Sequence, residues 1–237
     1  MGTGRGRVLD LIFPRRCPVC HEPVKPSGAL VCEACRDGFS FIDGPVCITC
    51  GKELNETEEL YCRDCSRNAS PVISQAALMN YDDTARRSMV MFKYKGRREY
   101  ADYYAEELLR RRGDQIRSFG ADVIVPVPVH VSKLYSRGYN QAEEIAVKLG
   151  ERLGIPVIGH VLVRNRATGV QKALNAADRS RNLEGAFTAV KSLKGVGTVL
   201  LTDDIYTTGS TMRACAGTLL RAGAQRVFGA VICIGRN

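Results

Sequence analysis

No stretch of the chain approaches the roughly 18 consecutive apolar residues that a membrane span needs, so none is expected. No secretion signal is expected either. Arg5 and Arg7 precede a short apolar run, but that run stops at Phe13 and charge resumes at Arg15. A cytoplasmic protein is expected, and in that compartment the ten cysteines are unsuited to a disulfide framework. Histidine is scarce, with three residues. His21 adjoins a cysteine that already has enough partners, and His130 stands alone in a loop, so neither reads as a catalyst. Acid is absent from one stretch in particular. Between Arg86 and Arg98 lie Arg86, Arg87, Lys93, Lys95, Arg97 and Arg98 without one carboxylate.

What is present begins with cysteine. Eight of the ten fall in CPVC, CEAC, CITC and CRDC, with Cys17, Cys32, Cys47 and Cys62 each fifteen residues apart and Cys20, Cys35, Cys50 and Cys65 following at the same interval. One C-x-x-C presents two thiolates from a tight knuckle, and two knuckles complete a tetrahedral zinc shell with no position left for substrate. Two structural zinc ions are therefore expected. Consecutive pairing is favoured, Cys17, Cys20, Cys32 and Cys35 for one ion and Cys47, Cys50, Cys62 and Cys65 for the other, with an interleaved pairing left open. The metal module should span residues 1–66, and a larger domain residues 67–237. The formal charge of +9 falls to about +5 once eight thiolates and two zinc ions are counted. The balance remains basic, as suits a partner carrying phosphates.

Beyond the cysteines, apolar runs alternate with helical patterns. Strand-like stretches at Val72 to Tyr81, Asp122 to Val127, Val196 to Thr202 and Arg226 to Ile232 are separated by helical spacing at Tyr100 to Arg112 and Gln141 to Leu153. Asp82 and Asp83 signal a further helix start, and Gly113 a helix end. Val157 to Val163 is a further apolar stretch. The order predicts an α/β domain on a parallel sheet.

The chemistry concentrates in VLLTDDIYTTGSTM, Val199 to Met212. A buried strand delivers Asp203 and Asp204 to its carboxyl end, and Thr207, Thr208, Gly209, Ser210 and Thr211 turn the chain into a helix that Ser210 or Thr211 can cap. Free N–H groups and the helix dipole make such a mouth a phosphate nest. The carboxylates would repel that phosphate, so they should address sugar hydroxyls or magnesium. A second cluster lies beyond the Val123 strand, where Lys133, Arg137, Gly138, Asn140 and Gln141 reach the usual ligand end of an α/β sheet. Arg137 offers a fork for pyrophosphate oxygens. Arg164 opens a hydrophilic run with Arg166, Lys172, Arg179 and Arg181 that suits a cover over a polyanion. The six-cation stretch from Arg86, with Phe92, Tyr94 and Tyr100 interleaved, suits single-stranded nucleic acid.

DDIYTTGST resembles the donor motif of type I phosphoribosyltransferases. That resemblance implies that Asp203 and Asp204 hold the ribose hydroxyls of phosphoribosyl pyrophosphate, that Thr207 to Thr211 hold its 5-phosphate, and that magnesium accompanies it. PVP at Pro126 to Pro128, RGYNQA, Arg164, Thr168, Gln171, Arg179, Asn182 and Phe187, with FKYKG at Phe92 to Gly96 and the cysteine module in front, resemble the ComF family over essentially the whole chain. Ser210 stands where that family often has alanine. The resemblance implies a double zinc ribbon joined to a phosphoribosyltransferase-like domain and an association with uptake of single-stranded DNA in natural transformation. Three activities follow from it: a transferase with Asp203, Asp204 and Arg137 as its catalytic set, a ligand-binding uptake accessory without turnover, and a docking module for a helicase-like uptake protein. The donor half of a transferase is spelled out. No stretch names an acceptor pocket.

Overall fold

The computed structural model describes residues 14–26, 28–54, 60–165 and 185–235. Most of the cationic run after Arg164, with Arg166, Thr168, Gln171, Lys172, Arg179, Arg181 and Asn182, lies outside them.

The cysteine module is a structural repeat. Around the first knuckle, Cys17 N–H donates to Glu22 O, His21 N–H to Cys17 O and Val24 N–H to Arg15 O; around the third, Cys47 N–H donates to Lys52 O, Gly51 N–H to Cys47 O and Leu54 N–H to Pro45 O. The residue after the second cysteine must turn left-handed in both. Gly51 does so freely at φ 73°, whereas His21 adopts φ 66° with a side chain attached. Contacts outside the module hold His21 there: its ring stacks on Tyr100, and Nδ1 lies 3.1 Å from the Tyr100 hydroxyl. The second and fourth knuckles close on a short turn at Glu33–Cys35 and on α1, Arg63–Arg67.

The larger domain is built on four parallel strands. They are β1 (Gln75–Asn80), β2 (Val123–Pro126), β5 (Thr198–Tyr206) and β6 (Arg226–Ile234), in the order β1-β6-β5-β2. Their continuous apolar runs reflect burial on both faces. Successive side chains alternate between two cores. Val199 and Leu201 pack with Met212, Cys215 and Leu219 of α6 (Ser210–Arg221) on one side. Leu200 packs on the other side with α2 (Asp83–Tyr94), α3 (Tyr100–Ser118) and α5 (Gln141–Leu153).

Local chemistry sets several boundaries. Asp82 caps α2 by accepting from Ala85 N–H at 2.8 Å. Helix α5 has the expected limits, capped by Asn140 and ended by Gly154 at φ 70°. Gly113 does not stop α3 as expected. It is buried inside the helix, which runs on until Ile116 and Phe119 are also buried. The stretch Val157 to Val163 forms no full strand of the main sheet. Val157 makes one parallel bridge to Ile124 at the outer side of β2, and Leu162–Arg164 (β3) pairs antiparallel with Phe187–Ala189 (β4) in a separate sheet.

These connections place a topological switch point. From β2 the chain passes through α4 (Val131–Arg137) and α5 and returns on the outer side of β2 at Val157; from β5 it passes through α6 on the opposite face and returns at β6. The two excursions part between β2 and β5. Such a parting opens a crevice at the carboxyl ends of the strands. Pairing with β2 stops at Thr202, while β5 continues to Tyr206.

Candidate functional site

Asp203 and Asp204 lie on the strand itself, not after it, so strand alternation sends their side chains to opposite faces. Asp204 continues the face of Leu200. Its carboxylate meets Lys93 Nζ of α2 at 2.8 Å, with both side chains largely buried. Burial by itself would lower the pKa of the Lys93 ammonium, but the Asp204 carboxylate overturns that and the net shift is upward. Asp203 faces the α6 side, where Arg164 from β3 contributes to its field. Arg164 also lies over the Phe187 ring at 5.5 Å.

Burial first, and then the neighbouring Asp204 charge, push the Asp203 carboxyl up to about 7. The proton is therefore held in the folded chain at pH values where an unfolded aspartate has lost it. This contribution to stability is complete below the ordinary aspartate value of 3.8 and is lost as pH rises through about 7. A carboxylate receiving two hydroxyl groups must be ionised, so affinity for a diol-bearing ligand should rise from pH 6 to pH 8. Thermal stability of the unliganded chain should fall over the same range. Calorimetric titration and differential scanning at the two pH values check both slopes, and parallel slopes would refute the assignment.

The turn Thr207–Gly209 joins β5 to α6. Gly209, not Ser210 or Thr211, is the N-cap: it sits at φ 72°, and no side chain caps the helix. The Ser210 hydroxyl instead lies 2.9 Å from that of Thr208. The helix mouth thus keeps its N–H groups directed at whatever enters. Gly209 is required for space as well as for φ, since a Cβ would lie 2.5 Å from Cζ of Tyr206.

Cations close the crevice. Helix α4, which sequence reasoning left as a loop, starts with His130 accepting from Ser132 N–H and ends with Gly138 at φ 77°. One turn of it separates Lys133 from Arg137, so the two share a face. Burial lowers the Lys133 pKa, and the charges of Arg137, Arg164 and Lys93 lower it further. Arg137 donates to Gln141 Oε1 at 2.8 Å and to the Tyr94 hydroxyl at 3.0 Å, over whose ring it sits at 4.9 Å. Asn140 is a positioning residue: its amide donates to Val127 O at 3.0 Å, and its oxygen accepts from Ala142 N–H.

The six-cation run does not form one surface. Lys93 is turned inward onto Asp204, Arg97 lies 3.8 Å from Glu99, and Arg98 donates to Gly138 O at 2.6 Å. Arg86, Arg87 and Lys95 remain exposed, Arg86 pairing with Asp83 at 3.2 Å, and the Tyr94 ring is exposed at the end of the same helix. Lys93 is the site residue that sequence reasoning put elsewhere.

In the cysteine module the consecutive pairing is found. The thiols of Cys17, Cys20, Cys32 and Cys35, and those of Cys47, Cys50, Cys62 and Cys65, form two clusters whose sulfurs all lie within 4.8 Å of one another. Cys50 and Cys62 sulfurs are 3.6 Å apart. A tetrahedral zinc at 2.3 Å from each sulfur would separate them by about 3.8 Å, so four thiols in this arrangement fit a closed structural site. Cys215 and Cys233 are buried in the main domain and belong to neither cluster.

A parallel α/β domain with an acid pair and an uncapped helix mouth at its switch point, fronted by two four-cysteine clusters, defines the class of protein. The double zinc ribbon domain family model matches residues 8–66. DNA utilization protein YhgH of Salmonella typhi is 31% identical over 224 residues, covering 92% of this chain and 96% of that protein. Competence protein F of Haemophilus influenzae is 26% identical over 223 residues, covering 91% and 95%. The chain belongs to the ComF family. Among solved structures, purine phosphoribosyltransferase from Pyrococcus horikoshii aligns with 56% of this chain and 74% of its own at 18% identity and a TM-score of 0.37, a likeness too slight to carry function. No helix among the described residues is long and apolar enough to cross a membrane.

Proposed function

We propose that the chain binds phosphoribosyl pyrophosphate with magnesium at the switch point between β2 and β5. The observation that carries this is an uncapped helix mouth directly after Asp203 and the Lys93–Asp204 pair at the end of β5, with Lys133 and Arg137 on the helix that follows β2. Each part suits one part of the ligand. Asp203 and Asp204 take the ribose hydroxyls, the N–H groups and hydroxyls of Thr207 to Thr211 take the 5-phosphate, and Lys93, Lys133, Arg137 and Arg164 take the pyrophosphate. Magnesium, when bound, would neutralise negative charge on the pyrophosphate. If turnover follows, the acid pair holds the ring as positive character develops at its anomeric carbon, while the cations receive the departing pyrophosphate.

Titration calorimetry tests the reading. Magnesium-dependent binding of phosphoribosyl pyrophosphate is expected, falling at least about a hundredfold when Asp203 and Asp204 are both replaced by asparagine. Equal binding by the two proteins would refute it. Pyrophosphate release in the presence of candidate bases then separates a transferase from a binder.

A second activity is supported by the exposure of Arg86, Arg87, Tyr94 and Lys95, and agrees with relatives named for competence and DNA utilization. The surface suits a single strand, with phosphates on the cations and a base against the ring. We expect salt-sensitive binding of a single-stranded oligonucleotide that weakens when Arg86, Arg87 and Lys95 are neutralised together, and whose dependence on salt becomes shallower. An unchanged salt slope would show that the strand binds elsewhere. On this reading the protein serves uptake or use of DNA, and the zinc ribbon is structural, with docking to a helicase-like partner as its further role.

A further inference from the structure

The two cysteine clusters meet the domain at different places. Around the first, Cys17 O accepts from the Tyr100 hydroxyl and Pro18 O from the Ser88 hydroxyl, on the side of α2 and α3. The second rests on the sheet. Gln75 of β1 donates to Cys50 O at 2.7 Å, and Gly51 is pressed so closely on β1 that a Cβ there would lie 2.6 Å from Gln75 O. Cys47, Cys50 and Cys62 share a buried core with Ala77 of β1, Val231 and Ile234 of β6, and Met212 of α6.

Tyr206 packs against that same core. It is the last residue of β5, paired with Ile234, and its carbonyl accepts from Gly235 N–H at 2.8 Å. The hydroxyl end of the ring occupies the space a Cβ on Gly209 would fill. One side chain thus touches the loop and packs on the core that the second cluster shares.

We propose that Tyr206 is a positioning residue through which the second four-cysteine cluster, and not the first, holds the Thr207 to Thr211 loop in its anion-binding shape. Its part in ligand binding rests on the reading that this loop takes the 5-phosphate. The loop effect does not. With the ring in place, Gly209 is fixed against a wall and the first turn of α6 starts at one angle. Without that wall, the loop gains alternatives that an incoming phosphate must remove, which weakens binding.

Hydrogen exchange on the full-length, zinc-loaded protein tests this without a ligand. In Cys65→Ser, amides 207–213 should exchange about tenfold faster, while Cys20→Ser in the first cluster should leave them within about twofold of the parent. Tyr206→Leu, with all eight cysteines intact, should reproduce the faster exchange, and Tyr206→Phe should not. Affinity for phosphoribosyl pyrophosphate with magnesium should fall in the same order. Should Cys65→Ser fail to fold, Tyr206→Leu decides alone. Unchanged exchange in Tyr206→Leu, or equal loosening by the two cysteine variants, overturns the proposal. Faster exchange in a protein whose parent binds no phosphoribosyl pyrophosphate would keep the coupling and discard the ligand.

Discussion

Replacing Lys93 by methionine should remove magnesium-dependent binding of phosphoribosyl pyrophosphate and destabilise the fold, while leaving binding of single-stranded DNA unchanged. Lys93 and Asp204 meet at 2.8 Å with little of either side chain in water. Removing the cation leaves a carboxylate buried and unpaired, next in sequence to a second acid. Breaking a buried pair from one side costs about 3 kcal/mol or more. In a chain of this size that lowers the melting temperature by roughly 6–12 °C.

Asp204→Asn should then rescue stability in the double variant, because the uncompensated charge is gone. It should not rescue binding, because both the ammonium and the carboxylate are absent. Thermal melts of the parent, the two single variants and the double variant yield the coupling directly. Full binding by Lys93→Met would remove Lys93 from the site. A double variant no more stable than Lys93→Met would mean that the pair is not what holds the two groups together. Loss of DNA affinity in Lys93→Met would return the residue to the surface patch that its sequence neighbours suggest.

The position of Lys93 shows where sequence reading stops. FKYKG reads as a basic, aromatic stretch, and nothing local separates Lys93 from Lys95. Their difference is angular: on α2 Lys93 turns toward the sheet, and its partner lies more than a hundred residues away in the chain. The elements that were legible had local causes, such as the Asp82 cap, the Asn140 and Gly154 limits of α5, and the fifteen-residue cysteine period. The acid pair and the helix mouth were legible too, because a strand, two carboxylates and a small-residue turn are consecutive. Helix α3 passed its expected stop because burial of Ile116 and Phe119 outweighed the roughly 1 kcal/mol cost of an interior glycine. The apolar stretch at Val157 has strand-like composition, yet it meets β2 only around Ile124, through the Val157 bridge and the Ile158 N–H. Tyr206 carried no sequence signal for the space it denies to Gly209.

Removal of zinc should affect the whole chain, not only its amino-terminal part, because the cysteine module covers an edge of the sheet. β1 is the outer strand, with all six residues buried. What lies along its free edge is the segment after the second knuckle: Ile42 N–H donates to Leu78 O at 3.1 Å, Asn80 N–H donates to Ser40 O at 2.8 Å, and Phe41 bridges Met79. Arg111 reinforces the seam, pairing with Asp43 at 2.7 Å and lying over the Phe41 ring at 3.6 Å. Apart from cysteine, the module's buried apolar side chains before residue 55 are, among the described residues, Val24, Phe39, Ile42 and Leu54. Four side chains cannot close so small a unit, and structural zinc contributes on the order of 10 kcal/mol of apparent folding free energy in comparable ribbons. With the metal gone, the segment at residues 40–42 loses its anchors on both sides, and β1 presents an apolar strand with unpaired backbone groups. Chelation to a verified metal-free state should therefore lower the melting temperature by more than about 10 °C, raise binding of a hydrophobic dye and drive association at micromolar concentration. Metal analysis, scanning calorimetry and light scattering on one sample measure all three. A metal-free chain that keeps its melting temperature and remains monomeric would show that the sheet closes its own edge, leaving the ribbon free for a partner.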